Sequence, residues 1–439
     1  MNASPETSPG FLQNSSNDAL LFPDEPPSTY TKADFDRFLV WASKSNASDI
    51  NFITGMPAVL EVNGRYQKVT RRTFSQAELN VMVSDIYGSD SIVADLNGGK
   101  DKDFSYDFKP DRTSRYRFRV NVTGIVAEGR PGINVTLRTI SSKPPRLADL
   151  GLEDAIFNAM APKQGMVIIT GSTGSGKSTL LAAMMRHLLE DPNGNRKVLT
   201  YESPIEYVYD EIVMPTSMIC QSEVPRNLKD FSAGTRNSLR RAPKIILVGE
   251  ARDAETIGEA ITVSQTGHAL YSTVHSDDVA TTIPRMVAEF PEGERHSRMS
   301  SIINAMRLIV SQRLEKTPQG GRVALREFVV ITPEIRDRLL QSDLDSLGLA
   351  CRAVLEEFGQ SFLQDARRKH QEGRLADEAL RRYEAADRAS RKDVEFQAEH
   401  HAGLASQPAP RARPSAGVVA IDEPTKTGDT RLDNLGGLL

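Results

Sequence analysis

The sequence predicts an α/β protein, in which a parallel sheet with alternating helices follows a smaller α+β domain. Three observations favour this fold class. Short apolar runs between residues 166 and 273 alternate with helix-like stretches, as in a doubly wound sheet. A glycine-rich loop joins the first of these runs directly to a helix. Further upstream, residues 116–122 alternate between apolar and polar side chains, which is typical of a half-buried strand.

The smaller domain is predicted over residues 31–140, after a tail at 1–30 whose Asn-, Ser- and Pro-rich composition predicts disorder. It begins with a helix-like stretch from Thr31, and strands and a second helix follow. The predicted strands are 49–53, 58–62, 65–69, 104–108, 115–123 and 132–138, and the second helix is Gln76–Tyr87. The Pro-Pro pair at 144–145 lies in a linker predicted over 141–150.

The second domain is predicted over residues 151–340. Its predicted strands are 166–170, 197–201, 244–248, 269–273 and 322–331, and its helices follow Gly176 and lie near 231–240, 254–266, 279–289 and 294–313. Residues 341–404 predict a charged helical extension, whose charges we expect to form a solvated face rather than a binding site. Residues 405–439 are rich in Pro, Ala, Arg and Gly and predict a disordered tail.

Composition limits the classes of protein to which the chain can belong. Its 439 residues are enough for two or three domains, and 54 Lys and Arg residues against 58 Asp and Glu residues give a net charge of −4. This balance argues against direct DNA binding, which needs a concentrated basic surface. Two isolated cysteines favour a reducing compartment. Because we find no apolar run of membrane-spanning length and no signal peptide, we expect a cytoplasmic protein without a transmembrane segment.

Residues 171–179 match the full pattern of a phosphate-binding loop between a strand and a helix. The loop consists of Gly171, Ser172, Thr173, Gly174, Ser175, Gly176, Lys177, Ser178 and Thr179. Glycines let main-chain N–H groups surround a β-phosphate, and the helix that follows directs its positive end at the same anion. Lys177 is placed to reach the β- and γ-phosphates, and the Ser178 hydroxyl to hold Mg²⁺. The spacing therefore predicts ATP and Mg²⁺ rather than a simple Gly/Ser turn.

Carboxylates follow two other predicted strands. Glu202 and Glu206 come at the end of one strand, and Glu250 follows the apolar run 245–248, with Gly249 at the place where such a strand usually ends in Asp. Acids at the carboxyl ends of parallel strands can hold the metal or orient a water molecule. The alternatives are an ordinary acidic loop for the first pair and a helix-capping glutamate for Glu250.

Two histidines, His268 and His275, lie on either side of a short predicted strand. They are interpreted as sensors of the γ-phosphate, as links to a neighbouring subunit, or as satisfied structural residues. Zinc ligation is not expected, because no cysteine or further histidine lies near them in sequence. In the smaller domain, Arg117 and Arg119 share one face of a strand, and Arg138 follows. The alternatives there are a solvated face or arginines supplied to phosphates across a domain or subunit boundary.

The order of these motifs resembles that of the secretion ATPases that include the type IV pilus retraction motors. The resemblance covers residues 31–340 and rests on 171–179, 201–206, 247–256 and 266–275. It implies hexameric rings built from a PAS-like N-terminal domain and a RecA-like P-loop ATPase domain. It also implies that Glu206 is a candidate catalytic base and Glu250 the Walker B glutamate. His268 and His275 match the family's His box, and Arg117, Arg119 and Arg138 match arginines near the nucleotide.

Within that family, the chain resembles most the ATPases of type IVB secretion and of plasmid conjugation. The residues that support this are 21–26, 39–44, 115–121, 199–206 and 323–327. Ser203 stands where the pilus motors usually have Asp, and the Ala-Ile-Arg-Asn-Leu-Ile-Arg-Glu element of those motors is not evident. We therefore expect a hexameric ATPase that powers a type IVB secretion or conjugation apparatus at the cytoplasmic face of the inner membrane. The alternatives are a pilus retraction motor, a DNA-binding translocase and a module that binds ATP without hydrolysis.

Overall fold

Two β-sheets organise the chain. The computed structural model describes residues 20–140 and 143–389. The first sheet has six strands in the order β3-β2-β1-β6-β5-β4, all antiparallel to their neighbours. These strands are β1 (Ala47–Ile53), β2 (Val59–Val62), β3 (Arg65–Lys68), β4 (Lys102–Phe108), β5 (Tyr116–Ala127) and β6 (Arg130–Thr139). The helices of this part are α1 (Lys32–Lys44), α2 (Gln76–Tyr87) and α3 (Ser91–Asn97).

Helix α1 shows why the smaller domain folds as it does. Thr31 and Asp34 form a capping box, in which the side chain of each accepts the main-chain N–H of the other. Phe35, Phe38 and Leu39 recur on one face of the helix and are completely buried. They pack with alternate residues of the strands, such as Phe52 of β1, into one apolar core. The expected α+β domain is therefore present, with its helices on one face of the sheet.

Residues 20–30 belong to this domain, which corrects the prediction of a disordered tail that reaches residue 30. The Phe22 ring is 1% exposed and lies 5.1 Å from the Phe38 ring. Its main-chain N–H donates to the Val69 carbonyl at 2.8 Å. Tyr30 donates its main-chain N–H to Glu78. Residues 20–30 are therefore ordered by the contacts of Phe22 and Tyr30, although their composition is polar. Residues 1–19 lie outside the described part of the chain.

The second sheet has seven strands in the order β13-β12-β7-β11-β10-β8-β9. Its strands are β7 (Gly165–Thr170), β8 (Lys197–Glu202), β9 (Met218–Glu223), β10 (Ile245–Val248), β11 (Ala269–Val274), β12 (Met306–Lys316) and β13 (Arg322–Val330). Neighbouring strands run parallel, except that β12 and β13 are antiparallel. The helices are α4 (Asp154–Ala159), α5 (Lys177–Glu190), α6 (Phe231–Ser238), α7 (Ala254–Gln265), α8 (Val279–Ala288), α9 (Arg295–Ala305), α10 (Pro333–Leu340), α11 (Leu347–Phe358) and α12 (Phe362–Gln371). The predicted α/β class is confirmed.

One predicted helix is wrong over its second half. The sequence predicts a helix over 294–313, but α9 ends at Ala305 and β12 begins at Met306. This segment pairs with β7 on one side and with β13 on the other, so it is a central strand. A short apolar run can fit a buried strand or a buried helix, and pairing on both sides decides for the strand. Local sequence patterns also do not reveal α3 and β9.

The C-terminal helices pack on the second domain. Cys351 and Leu355 of α11 join the core that also contains Ile283 of α8. Phe362 and Ala366 of α12 form a smaller cluster with Leu325 of β13. The expected helical extension is thus part of the fold, and helical structure continues over residues 377–389. Residues 390–439, which include the end of the predicted extension and the predicted tail 405–439, lie outside the described residues. Every helix of residues 20–140 and 143–389 is too short or too polar to cross a bilayer.

Candidate active site

The predicted site residues follow neighbouring strands of the second sheet. The phosphate loop follows β7, His275 follows β11, Glu250 follows β10, and Glu202 ends β8. These four strands are adjacent in the sheet and parallel. The carboxyl ends of parallel strands meet at one edge, where α/β proteins bind their ligands. The structure therefore brings the loop, these two acids and one histidine to a common edge.

Glycine is required at specific points of the phosphate loop. Gly171, Gly174 and Gly176 have φ angles of +133°, +78° and +86°, which disfavour residues that have a Cβ atom. A Cβ on Gly171 would lie 2.4 Å from the main-chain oxygen of Gln312 in the neighbouring strand β12. Helix α5 begins at Lys177, directly after Gly176, so the last loop residues form its first turn. This geometry directs the first N–H groups of α5 towards the loop, as an anion site requires.

Lys177 lies at the loop with its ammonium group fixed. Its Nζ donates to the carbonyl oxygens of Gly171 at 2.8 Å and Ser172 at 2.9 Å. Burial lowers the pKa of Lys177, and the negative charges of Glu250 and Glu206 oppose that shift. Both acids are therefore close enough to act electrostatically on the lysine. An ammonium group has a third donor, which remains for an oxygen of the ligand.

A magnesium ion fits this loop only together with a ligand. Within residues 20–140 and 143–389, there is no group of three or more His, Cys, Asp or Glu side chains that could hold a metal. Ser178 lies half-buried in the first turn of α5. The Ser175 hydroxyl is buried and has no hydrogen-bond partner among the described residues. Mg²⁺ commonly takes one or two protein oxygens and completes its shell with phosphates and water, so this donor set suits it.

Glu202 is held by two neighbouring polar side chains. Its Oε1 accepts from the Thr200 hydroxyl at 2.7 Å and from the Gln221 amide at 3.2 Å. Burial raises the pKa of Glu202 to about 7. The Glu250 side chain is 30% exposed, and its Oε1 lies 3.5 Å from Nε2 of His275. The two acids therefore differ in their freedom to meet a ligand.

The structure separates the two histidines. His275 follows the carboxyl end of β11, whereas His268 precedes its amino end. The His268 ring lies near the hydroxyl of Thr266 and the carbonyl of Val263 at the end of α7. Six strand residues at about 3.3 Å each place the two histidines roughly 20 Å apart. His268 therefore lies at the opposite edge of the sheet and does not contribute to the nucleotide edge of its own chain.

Arg117 connects the smaller domain to the loop that carries Glu206. Its Nη1 donates to the Glu206 carbonyl and its Nη2 to the Ile205 carbonyl, both at 2.7 Å. The side chain is 1% exposed. Because the side chain is buried and both of its terminal nitrogens donate to these carbonyls, Arg117 is not accessible to a phosphate in this arrangement. The prediction that it is a nucleotide ligand is corrected to that of a residue that holds the Glu206 loop.

Arg119 and Arg138 lie side by side on β5 and β6 and pair with acids of their own sheet. Arg119 bonds to Asp103 at 2.7 Å and Arg138 to Asp49 at 2.8 Å. Their side chains are 43% and 64% exposed. Exposed ion pairs of this kind are weak, so either arginine can be redirected to a stronger anion. Their predicted role near a nucleotide stays a prediction.

Comparison with known proteins decides the family. Residues 31–382 match the family model described as type II/IV secretion system protein. The chain belongs to this family. It is 34% identical over 314 residues to the type IV pilus retraction ATPase PilT of Pseudomonas aeruginosa, which covers 71% of this chain and 86% of that protein.

Two solved structures extend the comparison. The ATPase DotB of Legionella pneumophila is 45% identical, with a TM-score of 0.79 over 84% of this chain and 100% of that chain. The pilus retraction motor PilT with bound ADP is 27% identical, with a TM-score of 0.65 over 78% of this chain and 95% of that chain. The chain is therefore a secretion ATPase of the PilT-like group, similar to DotB, with the predicted RecA-like and PAS-like architecture.

Several polar residues near the site of this ATPase belong to no sequence motif. Gln312 of β12 contacts the phosphate loop, and Gln221 of β9 contacts Glu202. Glu223 accepts from the main-chain N–H of Ile205 and from Ser105 of the smaller domain. Both Gln221 and Glu223 lie on a strand that the pattern did not reveal. Gln312 lay in the segment assigned to a helix, where its position beside the loop could not be seen.

Proposed function

We propose that this ATPase works as a homohexamer with ATP and Mg²⁺, and that it powers a type IVB secretion or conjugative transfer apparatus. The proposal rests mainly on the 45% identity to the Legionella ATPase DotB over the full length of that chain. The apparatus would lie at the cytoplasmic face of the inner membrane, with the ATPase bound peripherally. Its partners would be further copies of itself and components of the apparatus rather than DNA.

In this proposal, Lys177 binds the β- and γ-phosphates, and the loop residues 171–179 surround them. Mg²⁺, held by Ser178 and the phosphates, would neutralise charge on the triphosphate. Glu250 or Glu206 orients the attacking water and accepts its proton as the bond between the γ-phosphorus and the ADP oxygen breaks. Glu250 is favoured over Glu202, because Glu202 is already bonded to Thr200 and Gln221, and Glu206 stays the alternative.

Residues on the surface of the chain would complete the site between subunits. Arg119 and Arg138 are exposed and bonded only weakly, so a neighbouring subunit can use them to stabilise charge on the γ-phosphate. His275, 3.5 Å from Glu250, would respond when that phosphate leaves. His268 lies at the far edge of the sheet, which agrees better with a contact between subunits than with a phosphate sensor.

A pilus retraction motor is the second candidate. The observation in its favour is the 34% identity to PilT over 86% of that protein. The two candidates differ in the machine that receives the work, not in the chemistry of hydrolysis. A cellular test is therefore required.

The test replaces the gene in its host with Lys177→Ala or Glu250→Gln. Lys177→Ala removes the main cation for the phosphates, and Glu250→Gln is expected to bind ATP without efficient hydrolysis. Both should abolish protein secretion or plasmid transfer and leave surface motility unchanged. Lost motility with intact secretion and plasmid transfer would show the retraction motor instead. Parent-level hydrolysis by purified Glu250→Gln would contradict the role of that acid.

A further inference from the structure

Gln312 links the phosphate loop to the strand pair β12–β13. Its Nε2 donates to the Ser175 carbonyl at 2.8 Å, and its Oε1 accepts from Nε of Arg326 at 2.9 Å. Gln312 is 3% exposed and Arg326 is 1% exposed. A carbonyl can only accept and a guanidinium can only donate, so the two partners fix the orientation of the Gln312 amide.

This contact controls a donor of the loop. The Ser175 carbonyl and the Gly176 N–H belong to one planar trans peptide, in which they point in opposite directions. When Gln312 holds the carbonyl on the β12 side, the Gly176 N–H is directed away from β12. The Gln312 amide also packs closely against Gly176, since a Cβ on Gly176 would lie 2.8 Å from Nε2 of Gln312.

Arg326 is in turn held by residues that precede β7. Its Nη1 donates to Glu153 and to the Gly151 carbonyl, both at 3.1 Å. Its Nη2 donates to the Leu150 carbonyl at 3.0 Å. Glu153 is 7% exposed, so a buried cation faces a buried anion, and two main-chain oxygens accept from further donors of the guanidinium. These bonds restrain the position of the Arg326 guanidinium.

Helix α12 supplies the other half of this network. Asp365 is completely buried and accepts the main-chain N–H of Arg326 at 2.8 Å. Arg368 donates to Glu153 at 2.6 Å and to Asp365 at 2.5 Å. Two carboxylates and two guanidinium groups thus balance in charge, and an unbroken chain of contacts runs from α12 to the phosphate loop.

We propose that Gln312 and Arg326 are positioning residues of the ATPase, which fix the Ser175–Gly176 peptide of the phosphate loop, and that α12 completes their support. The C-terminal helices thereby become part of the catalytic domain rather than an appendage. The proposal deepens the assignment of residues 171–179 as the nucleotide loop and rests on it.

The decisive variant is Gln312→Glu. It keeps the size of the side chain and the acceptor for Arg326, but an oxygen replaces the donor that faces the Ser175 carbonyl. We expect the affinity for ADP with Mg²⁺, measured by calorimetry on the full chain, to fall about tenfold. We also expect faster hydrogen exchange at the amides of residues 174–177 and a nearly unchanged melting temperature, because Glu at this position pairs with Arg326.

Gln360→Glu is the matched control. Gln360 donates from Nε2 to the Arg326 carbonyl at 3.0 Å, so the variant makes the same chemical change at a carbonyl outside the loop. Its affinity for ADP should stay within about twofold of the parent. Equal losses in both variants, or a folded Gln312→Glu chain with unchanged affinity and exchange, would overturn the proposal. The parent chain is titrated with ADP in the same experiment. If the parent binds ADP, a negative result contradicts the role of Gln312 and not the assignment of residues 171–179 as the nucleotide-binding loop.

Arg368→Gln tests the contribution of α12. Arg368 is 42% exposed, so the fold should tolerate the change, but Glu153 and Asp365 lose a shared cation. We expect faster exchange at residues 174–177 and an affinity for ADP about threefold weaker. If hydrogen exchange at residues 174–177 stays at the parent rate in this variant, α12 does not support the phosphate loop.

Discussion

Glu202 is an acid whose surroundings favour the protonated form. Burial raises its pKa from 4.5 to about 7, while the bonds from Thr200 and Gln221 only partly oppose this shift. Glu327 of β13 has a pKa raised to about 7 by the same cause. Between these limits both acids bind more protons in the folded chain than in the unfolded chain, so their contribution to the free energy of unfolding falls as the pH rises from 4.5 to about 7.

We predict that Glu202→Gln reduces this pH dependence. Glutamine keeps an acceptor for the Thr200 hydroxyl but cannot ionise. The loss of unfolding free energy between about pH 5 and pH 7 should shrink by on the order of 1–3 kcal/mol, and Glu327 should supply most of what remains. Denaturant unfolding of parent and variant across this range measures the difference. Identical pH slopes would show that Glu202 ionises normally in the folded chain.

At the level of elements, the loop after β8 is held from the smaller domain. Arg117 of β5 donates to the carbonyls of residues 205 and 206, and Glu223 of β9 accepts the N–H of Ile205. The Ser105 hydroxyl of β4 also donates to Glu223, at 2.5 Å. The position of Glu206 thus depends on strands from both sheets. A shift of the smaller domain would move this acid relative to the phosphate loop.

We predict that Arg117→Lys lowers the rate of ATP hydrolysis at least tenfold while ADP binding stays near that of the parent. A lysine is a point charge and cannot donate to two carbonyls in the fork geometry of arginine. Steady-state hydrolysis and ADP calorimetry on the same preparations separate the two effects.

Arg115→Lys is the control for this prediction. Arg115 pairs with Asp107 and with Asp210 of the second domain, and a lysine can keep these ion pairs. Its hydrolysis rate should be close to that of the parent. An equal loss in both variants would mean that any weakening of the domain contact is sufficient, without a special role for the Glu206 loop.

The elements themselves show what the sequence could and could not predict. Local sequence patterns predict the bounds of α2 and the buried parallel strands β7, β10 and β11. The prediction holds because the neighbours of these elements in the fold favour the same structure as the local pattern. Strand β12 was misread, since the run from Met306 becomes a strand only when β7 and β13 pair with it. The site acids and Lys177 were placed by motif spacing. Contacts such as Gln312 with Ser175, 137 positions apart, depend on topology that local patterns do not contain.

For the whole molecule, the main question is how copies of the chain share a site. Within one chain, Arg119 bonds to Asp103 at 2.7 Å, and the two side chains are 43% and 34% exposed. The phosphate loop has its own lysine, and acids follow the neighbouring strands, but neither Arg119 nor Arg138 contacts the loop among the described bonds. A ring in which each subunit lends an arginine to its neighbour would complete such a site.

We predict that Arg119→Ala and Lys177→Ala are each inactive alone and partly active when mixed. In an equal mixture, half of the loops keep Lys177 and half of their neighbours keep Arg119, so roughly a quarter of the sites are complete. Hydrolysis measured after co-assembly should approach that fraction of the parent rate. Mixed rings, verified by mass, that stay inactive would contradict the shared site, and a chain that is monomeric with nucleotide would contradict the ring.

The closeness of β12 to the phosphate loop also limits how the sequence can vary during evolution. A side chain at position 171 would meet the main-chain oxygen of Gln312, which every residue has, so no replacement at 312 can compensate. A side chain at position 176 would meet the Gln312 side chain itself, which a smaller residue would remove. In a selection for growth that depends on transport, Gly171 should therefore tolerate no substitution in any background. Any rare exchange of Gly176 should appear together with a change at 312, so the two positions would covary.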